Sequence, residues 1–171
     1  MYLEFFILFI DYFRTLKLRL FFYEIFIPFL ISIFAFYLLL TGKDTSICKG
    51  FRESSLTLLG ILLGFSITII MIITTGNSEN LALIKKKVTK LTIGNKKVTL
   101  FDLLLINFTY SVVIEIMLII ILLICPILLA NIPFPHIIKI IGFSCLSGMI
   151  IHVLLLTTRN LTDFYLILMK K

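Results

Sequence analysis

"LTLLGILLGFSITIIMIITTGN", residues 56–77, is the stretch that decides the fold. It is an apolar run without a single charge, and about 20 such residues are enough for a helix to cross a bilayer. Lipid, however, requires neither its two glycines nor its recurring Ser and Thr. At ~100° per residue, Glu53, Thr57, Gly60, Gly64, Thr68, Met71 and Thr75 share one helical face. Leu58, Phe65, Ile69, Ile72 and Ile73 lie on the opposite face. Helices in lipid are held together by close backbone contact and by interhelical hydrogen bonds worth ~0.6–2 kcal/mol each. Gly60 and Gly64 with Thr68 are therefore expected to form a helix-packing seam, with Ser66 turned away from it.

The rest of the chain has the same character. Of 171 residues, 60% are hydrophobic and the mean hydropathy is +1.16, against about 45–50% apolar residues in a soluble domain. That composition implies an all-α integral membrane protein with a single membrane domain and no separate soluble catalytic unit. Apolar runs at 22–41, 55–75, 101–127 and 137–158 predict four transmembrane helices. Gly76 is placed to cap the second. The third is expected to end near Pro126, and the prolines of "NIPFPH" to form the turn into the fourth.

Residues 1–20 lack a small-residue cleavage site and are interrupted by Glu4 and Asp11, unlike a cleaved signal. Glu4, Asp11, Thr15 and Arg19 share a stripe amid Phe, Leu and Ile, which predicts an amphipathic helix in the membrane interface. Residues 76–100 form a basic loop. Ser78 is placed to cap a short helix presenting Leu81, Ile84 and Val88 on one side. "VTKLTIGNKKVTL" reads as a hairpin turning at Gly94-Asn95.

Polar stripes mark the other spans too. Span one aligns Glu24, Pro28, Ser32 and Ala35, and Pro28 withholds an amide from the Glu24 carbonyl. Span three aligns Asn107, Ser111 and Glu115, and span four aligns Ser144, Gly148, His152 and Arg159. Gly148 joins Gly60, Gly64 and Thr68 as a packing residue. Glu115 stands near mid-span, where a carboxylate costs several kcal/mol unless it is protonated, paired or wetted. Asn107, Ser111, Glu115 and His152 are thus a candidate polar path, closed outward by Leu118 and Leu122. A buried packing cluster is the alternative reading.

Nothing in the sequence builds an active site. "GFS" occurs twice, and with His152 it resembles the Gly-x-Ser and His pairing of rhomboid proteases. Yet Ser144 and His152 stand eight residues apart on one helix, about 12 Å, too far to share a proton. There is no phosphate-binding loop, no paired aspartate and no metal-ligand spacing, so no enzyme, metal or cofactor is expected. Cys48, Cys125 and Cys145 read as small apolar residues.

Four spans with an interfacial N-terminus and a lysine-rich central loop, carried by "LTLLGILLGFSITIIMIITTGN" and "TLFDLLLINFTYSVVIEI", resemble small membrane proteins encoded beside prokaryotic antiviral systems. The membrane accessory protein of type VI-B CRISPR loci and the membrane subunit of the Kiwa system are examples. The resemblance is one of architecture and carries no site residues. It implies a role in defence at the inner membrane. The expected function is an oligomeric pore or permeability effector. A non-conducting scaffold that docks a soluble cytoplasmic protein on the basic loop is the alternative. Lys85, Lys86, Lys87, Lys90, Lys96 and Lys97 are candidates for binding anionic lipid headgroups or that partner. No aromatic stacking platform accompanies them, which argues against nucleic acid.

Twelve of the sixteen Lys and Arg fall before span one, between spans two and three, or after span four. The positive-inside rule then puts both termini and the 76–100 loop in the cytoplasm. Reporter fusions or cysteine labelling at residue 90 are expected to report a cytoplasmic position, and an external one would overturn this topology.

Overall fold

The computed structural model describes residues 3–42, 46–93, 96–131 and 135–169. Six helices dominate it: α1 (Leu3–Thr15), α2 (Leu18–Thr41), α3 (Ser46–Thr75), α4 (Glu79–Lys86), α5 (Leu100–Asn131) and α6 (His136–Met169). Four of these, α2, α3, α5 and α6, are long and apolar enough to cross a membrane. The chain is a multi-pass membrane protein.

Four span boundaries differ from those read in the sequence. Helix α2 begins at Leu18 rather than near residue 22, and the N-terminal helix ends at Thr15 rather than reaching residue 20. Helix α5 continues through Pro126 to Asn131. A proline inside a helix removes one hydrogen bond and bends the axis, and in lipid neighbouring groups accommodate it. Helix α6 runs to Met169 because "RNLTDFYLILM" keeps its helical phase after hydropathy falls. Helix α3 begins at Ser46, well before the apolar run does. The hairpin turn at Gly94-Asn95 and residues 132–134 of the proline turn lie outside the described residues.

Helix α2 is not α-helical throughout: Phe22–Phe26 form a π-helical turn. Pro28, two residues after this turn, has no amide to return to the Glu24 carbonyl four residues back. That carbonyl is freed for a partner on another helix.

The spans pair as antiparallel neighbours. Helix α2 lies on α6, α6 on α5, and α5 on α3. The α2–α6 contact repeats every fourth residue, the spacing that keeps residues on one helical face. His152 meets Glu24, Gly148 meets Pro28 and Ser32, and Ser144 meets Ser32. A Cβ on Gly148 would stand 2.9 Å from the Ser32 Cβ and 3.0 Å from the Pro28 carbonyl oxygen. Only glycine permits so close an approach. Ser32 Oγ donates to the Ser144 carbonyl at 2.7 Å, an interhelical hydrogen bond at that same contact.

Against α5, helix α3 turns Ser55, Leu59, Ser66, Ile69 and Ile73, all buried. The expected seam is therefore not a contact within the chain. Gly60, Gly64 and Thr68 are exposed, and nothing lies within 4 Å of where a Cβ would stand on either glycine. Ser66, expected to face outward, is fully buried. The inward face is the one whose Leu and Ile interdigitate with Leu104, Phe108, Leu118 and Leu122 of α5. Large side chains set that packing, and the glycines lie on the other side of the helix.

The basic loop is folded. Ser78 Oγ accepts from the Leu81 amide and caps α4, which buries Leu81 and Ile84. Val88, expected on that helix face, instead begins strand β1 (Val88–Ile93) and is exposed. β1 pairs antiparallel with β2 (Lys96–Thr99), with Val88 opposite Thr99 and Ile93 opposite Lys96. Thr99 and Asp102 then exchange side chain-to-amide bonds of 3.0 and 3.1 Å, a reciprocal cap that starts α5. Helix α1 touches both α5 and β1, and α4 touches the last turns of α6. The N-terminal helix, the basic loop and the C-terminal turns of α6 therefore gather at one end of the bundle.

Candidate functional site

The residues proposed as one polar path form two separate networks. The first is centred on Glu24 of α2, which is fully buried. Its carboxylate forms an ion pair with Arg159 of α6 and accepts a hydrogen bond from the Tyr12 hydroxyl of α1. Its freed backbone carbonyl faces His152 Nδ1 at 2.6 Å. A carbonyl only accepts, so Nδ1 carries a proton, and in the neutral ring Nε2 accepts from the Tyr110 hydroxyl at 3.4 Å. The rings of Tyr12 and Tyr110 stack with centroids 3.6 Å apart. The Arg159 guanidinium lies over the Tyr12 ring at 6.0 Å, within cation–π range. Burial, and then the hydrogen bond to Glu24, push the Tyr12 phenol well above its usual range, so it remains a donor.

Each member of this network has a local reason for its place. Tyr12, Thr15 and the half-buried Phe9 are the inner edge of α1 against α5. Thr15 Oγ1 donates to the Tyr12 carbonyl at 2.8 Å and closes the last turn of α1. Glu24 is buried where the π-helical turn presses toward α6. The sequence shows the Glu24 and Arg159 stripes separately. Their pairing, and the part played by Tyr12, depend on tertiary register.

The second network is centred on Glu115, also fully buried. Its Oε1 accepts from Ser111 at 2.9 Å, Ser66 at 3.3 Å and Thr157 at 3.4 Å. Three helices thus converge on one carboxylate oxygen. Toward the end of the bundle that carries the basic loop, Asn160 Nδ2 donates to the Asn107 carbonyl at 3.3 Å. Asn107 and Asn160 are both buried. Glu115 Oε2 and the side-chain oxygens of Asn107 and Asn160 are buried without a hydrogen-bond partner.

So Ser111 and Glu115 come together, Asn107, one turn away along α5, pairs instead with Asn160, and His152 belongs with Glu24. Ser66, Thr157 and Asn160 complete the Glu115 network and were not among the expected site residues. Ser66 lies opposite the face expected to pack, and the signal for Thr157 and Asn160 is their antiparallel register with Ser111 and Asn107. Gly148 packs within the chain, whereas Gly60, Gly64 and Thr68 form an open face.

Lys85, Lys86, Lys87, Lys90 and Lys97 are exposed on α4 and the hairpin. Lys85 Nζ stands 5.2 Å from the Phe101 ring centre. The Lys96 side chain lies outside the described residues. Among the described residues, no group of three or more His, Cys, Asp or Glu is placed to hold a metal ion.

Arg159→Met should leave the Glu24 carboxylate buried without its cation, at a cost of about 3–5 kcal/mol. Pairing it with Glu24→Gln should recover much of that loss. Unfolding in detergent micelles measures both, and strictly additive losses would show that the two residues do not depend on one another.

No protein-family model, curated protein or solved structure matches this chain.

Proposed function

We propose that the protein is a non-enzymatic, oligomeric membrane protein that acts as a pore or permeability effector, with the open face of α3 at the contact between copies. The observation that carries this reading is the state of Gly60 and Gly64. They sit within a membrane span, yet nothing lies within 4 Å of either Cβ position. Lipid gains nothing from a glycine, and a neighbouring helix gains close backbone contact. Thr57, Thr68, Met71 and Thr75 continue the same exposed face. The three threonine hydroxyls donate to carbonyls of their own helix at 3.2, 2.8 and 2.7 Å. Their donors are therefore satisfied against a neighbouring helix, and their oxygens remain available to water in a lumen. Glu53, exposed beyond the apolar run, supplies a carboxylate at one mouth of such a lumen.

In this reading Glu115 is not a lumen residue, because it is fully buried within the chain, between α3, α5 and α6. The positive-inside rule puts both termini and the basic loop in the cytoplasm, where the lysines meet anionic headgroups. On architectural resemblance alone, the proposed setting is prokaryotic antiviral defence at the inner membrane.

One observation favours the alternative, a non-conducting scaffold. The basic loop is a capped helix and a hairpin packed on α5, a fixed platform for a soluble partner.

Gly64→Leu tests the leading reading. It should leave the chain folded, since that position is open within it, while reducing the mass of the complex in detergent and abolishing ion flux in liposomes. Phe65→Leu is the control on an adjacent position. Wild-type protein that is monomeric and passes no ions would contradict the pore and favour the scaffold.

A further inference from the structure

The Glu115 network contains more oxygen than its hydrogen bonds use. Three buried acceptors, Glu115 Oε2, Asn107 Oδ1 and Asn160 Oδ1, have no partner. A buried acceptor left unmatched costs about 1–3 kcal/mol, and more when it is charged. The cationic and imidazole side chains nearest along α6, Arg159 and His152, are engaged at Glu24, and Tyr110 of α5 faces His152. From helix α3, Ser66 donates to the carboxylate. The site is one carboxyl group among neutral oxygens, at a depth where ionisable residues mark ion sites and pathways.

We infer that Glu115, with the hydroxyl oxygens of Ser66, Ser111 and Thr157, binds a dehydrated Na+ that enters past Asn107 and Asn160. The chemistry fits in three respects. Carboxylate, hydroxyl and amide oxygens are ligands for hard cations, not for soft metals. A single carboxylate is neutralised by a monovalent ion, whereas a divalent ion would leave a charge in the membrane. The spacing is right as well. Oxygens held ~2.4 Å from a cation of this size stand roughly 3.4 Å from their neighbours; Ser66 and Thr157 lie 3.3 and 3.4 Å from Glu115 Oε1 and Ser111 lies 3.4 Å from Thr157, while Ser111, at 2.9 Å from Oε1, keeps its hydrogen bond to the carboxyl.

A route of access is present. A groove of about 690 Å³ opens between α4, the start of α5 and the end of α6, with Leu104 and Asp163 in its lining. One turn inward from Leu104 on α5 is Asn107, and one turn inward from Asp163 on α6 is Asn160. The next turn on each helix brings Ser111 and Thr157, which stand 3.4 Å apart, and then Glu115. Oxygen-bearing side chains thus descend from the groove to the carboxylate along two facing helices. The buried Leu118 and Leu122 continue beyond it.

Equilibrium binding of radiolabelled Na+ to detergent-solubilised protein, in choline buffer, tests this directly. It does not depend on oligomerisation or conductance, so a failure of the pore reading leaves it standing. Wild type should bind Na+ saturably at a single site per chain. Glu115→Gln should abolish binding, and Ser66→Ala should weaken it about tenfold, equivalent to ~1.4 kcal/mol for one lost ligand. Na+ should also raise the Tm of wild type but not that of the Gln variant, whose circular dichroism reports whether it is folded. No saturable binding by wild type at neutral or mildly alkaline pH would overturn the inference, because the carboxyl would then simply be protonated. So would binding that survives Glu115→Gln.

Discussion

A carboxylate buried near the start of a membrane span has to be neutralised, and the way Glu24 is neutralised organises much of this fold. Its side chain draws Arg159 inward from α6 and receives the Tyr12 hydroxyl from α1. Its carbonyl, freed by Pro28, takes the His152 ring, which reaches on to Tyr110 of α5. One residue thereby joins four helices. Most of the apolar surface of α2 is exposed within the chain. Lipid supplies no hydrophobic force to hold helices together. The Glu24 network and the close approach at Gly148 are what give α2 a fixed place.

Helix α3 shows a different solution. One face is large and apolar around Ser66, and it packs on α5. The other face is small and hydroxylated, and within the chain it meets nothing at Gly60 or Gly64. The two faces divide the work. The first completes the fold around Glu115, and the second remains for another copy in the proposed assembly. The two carboxylates differ in the same way. Glu24 has an internal cation and a structural role, while Glu115 has only neutral oxygens around it and is left with capacity to bind.

Much of this was legible in the sequence, at the level of single helices. Hydropathy located all four spans, and Ser78 located the capped helix of the basic loop. The i, i+4 stripes in spans one and four contained nearly every residue of their eventual contact: Glu24, Pro28 and Ser32 against Ser144, Gly148 and His152. What periodicity lacks is the partner. It shows which residues share a face but not which face another helix covers. That is why the glycine face of α3 was read as its packed side and Ser66 as its outer one. The pairing of Glu24 with Arg159 spans most of the chain and is set by antiparallel register, which no local pattern encodes. The end of α6 was missed because charged residues lower its hydropathy while leaving its helical phase intact.

The central claim, that Glu24 fixes α2 against α6, can be measured by cross-linking. Ser32→Cys and Ser144→Cys, in a chain whose Cys48, Cys125 and Cys145 are replaced by Ala, put two thiols at the α2–α6 contact and leave Gly148 in place. A disulfide needs Cβ atoms ~3.8 Å apart, a separation that two residues in hydrogen-bond contact reach by a small adjustment. With Glu24 present, oxidation in membranes should give rapid intramolecular cross-linking. With Glu24→Ala added, the rate should fall sharply as α2 loses its register. Equal rates in the two backgrounds would contradict the account.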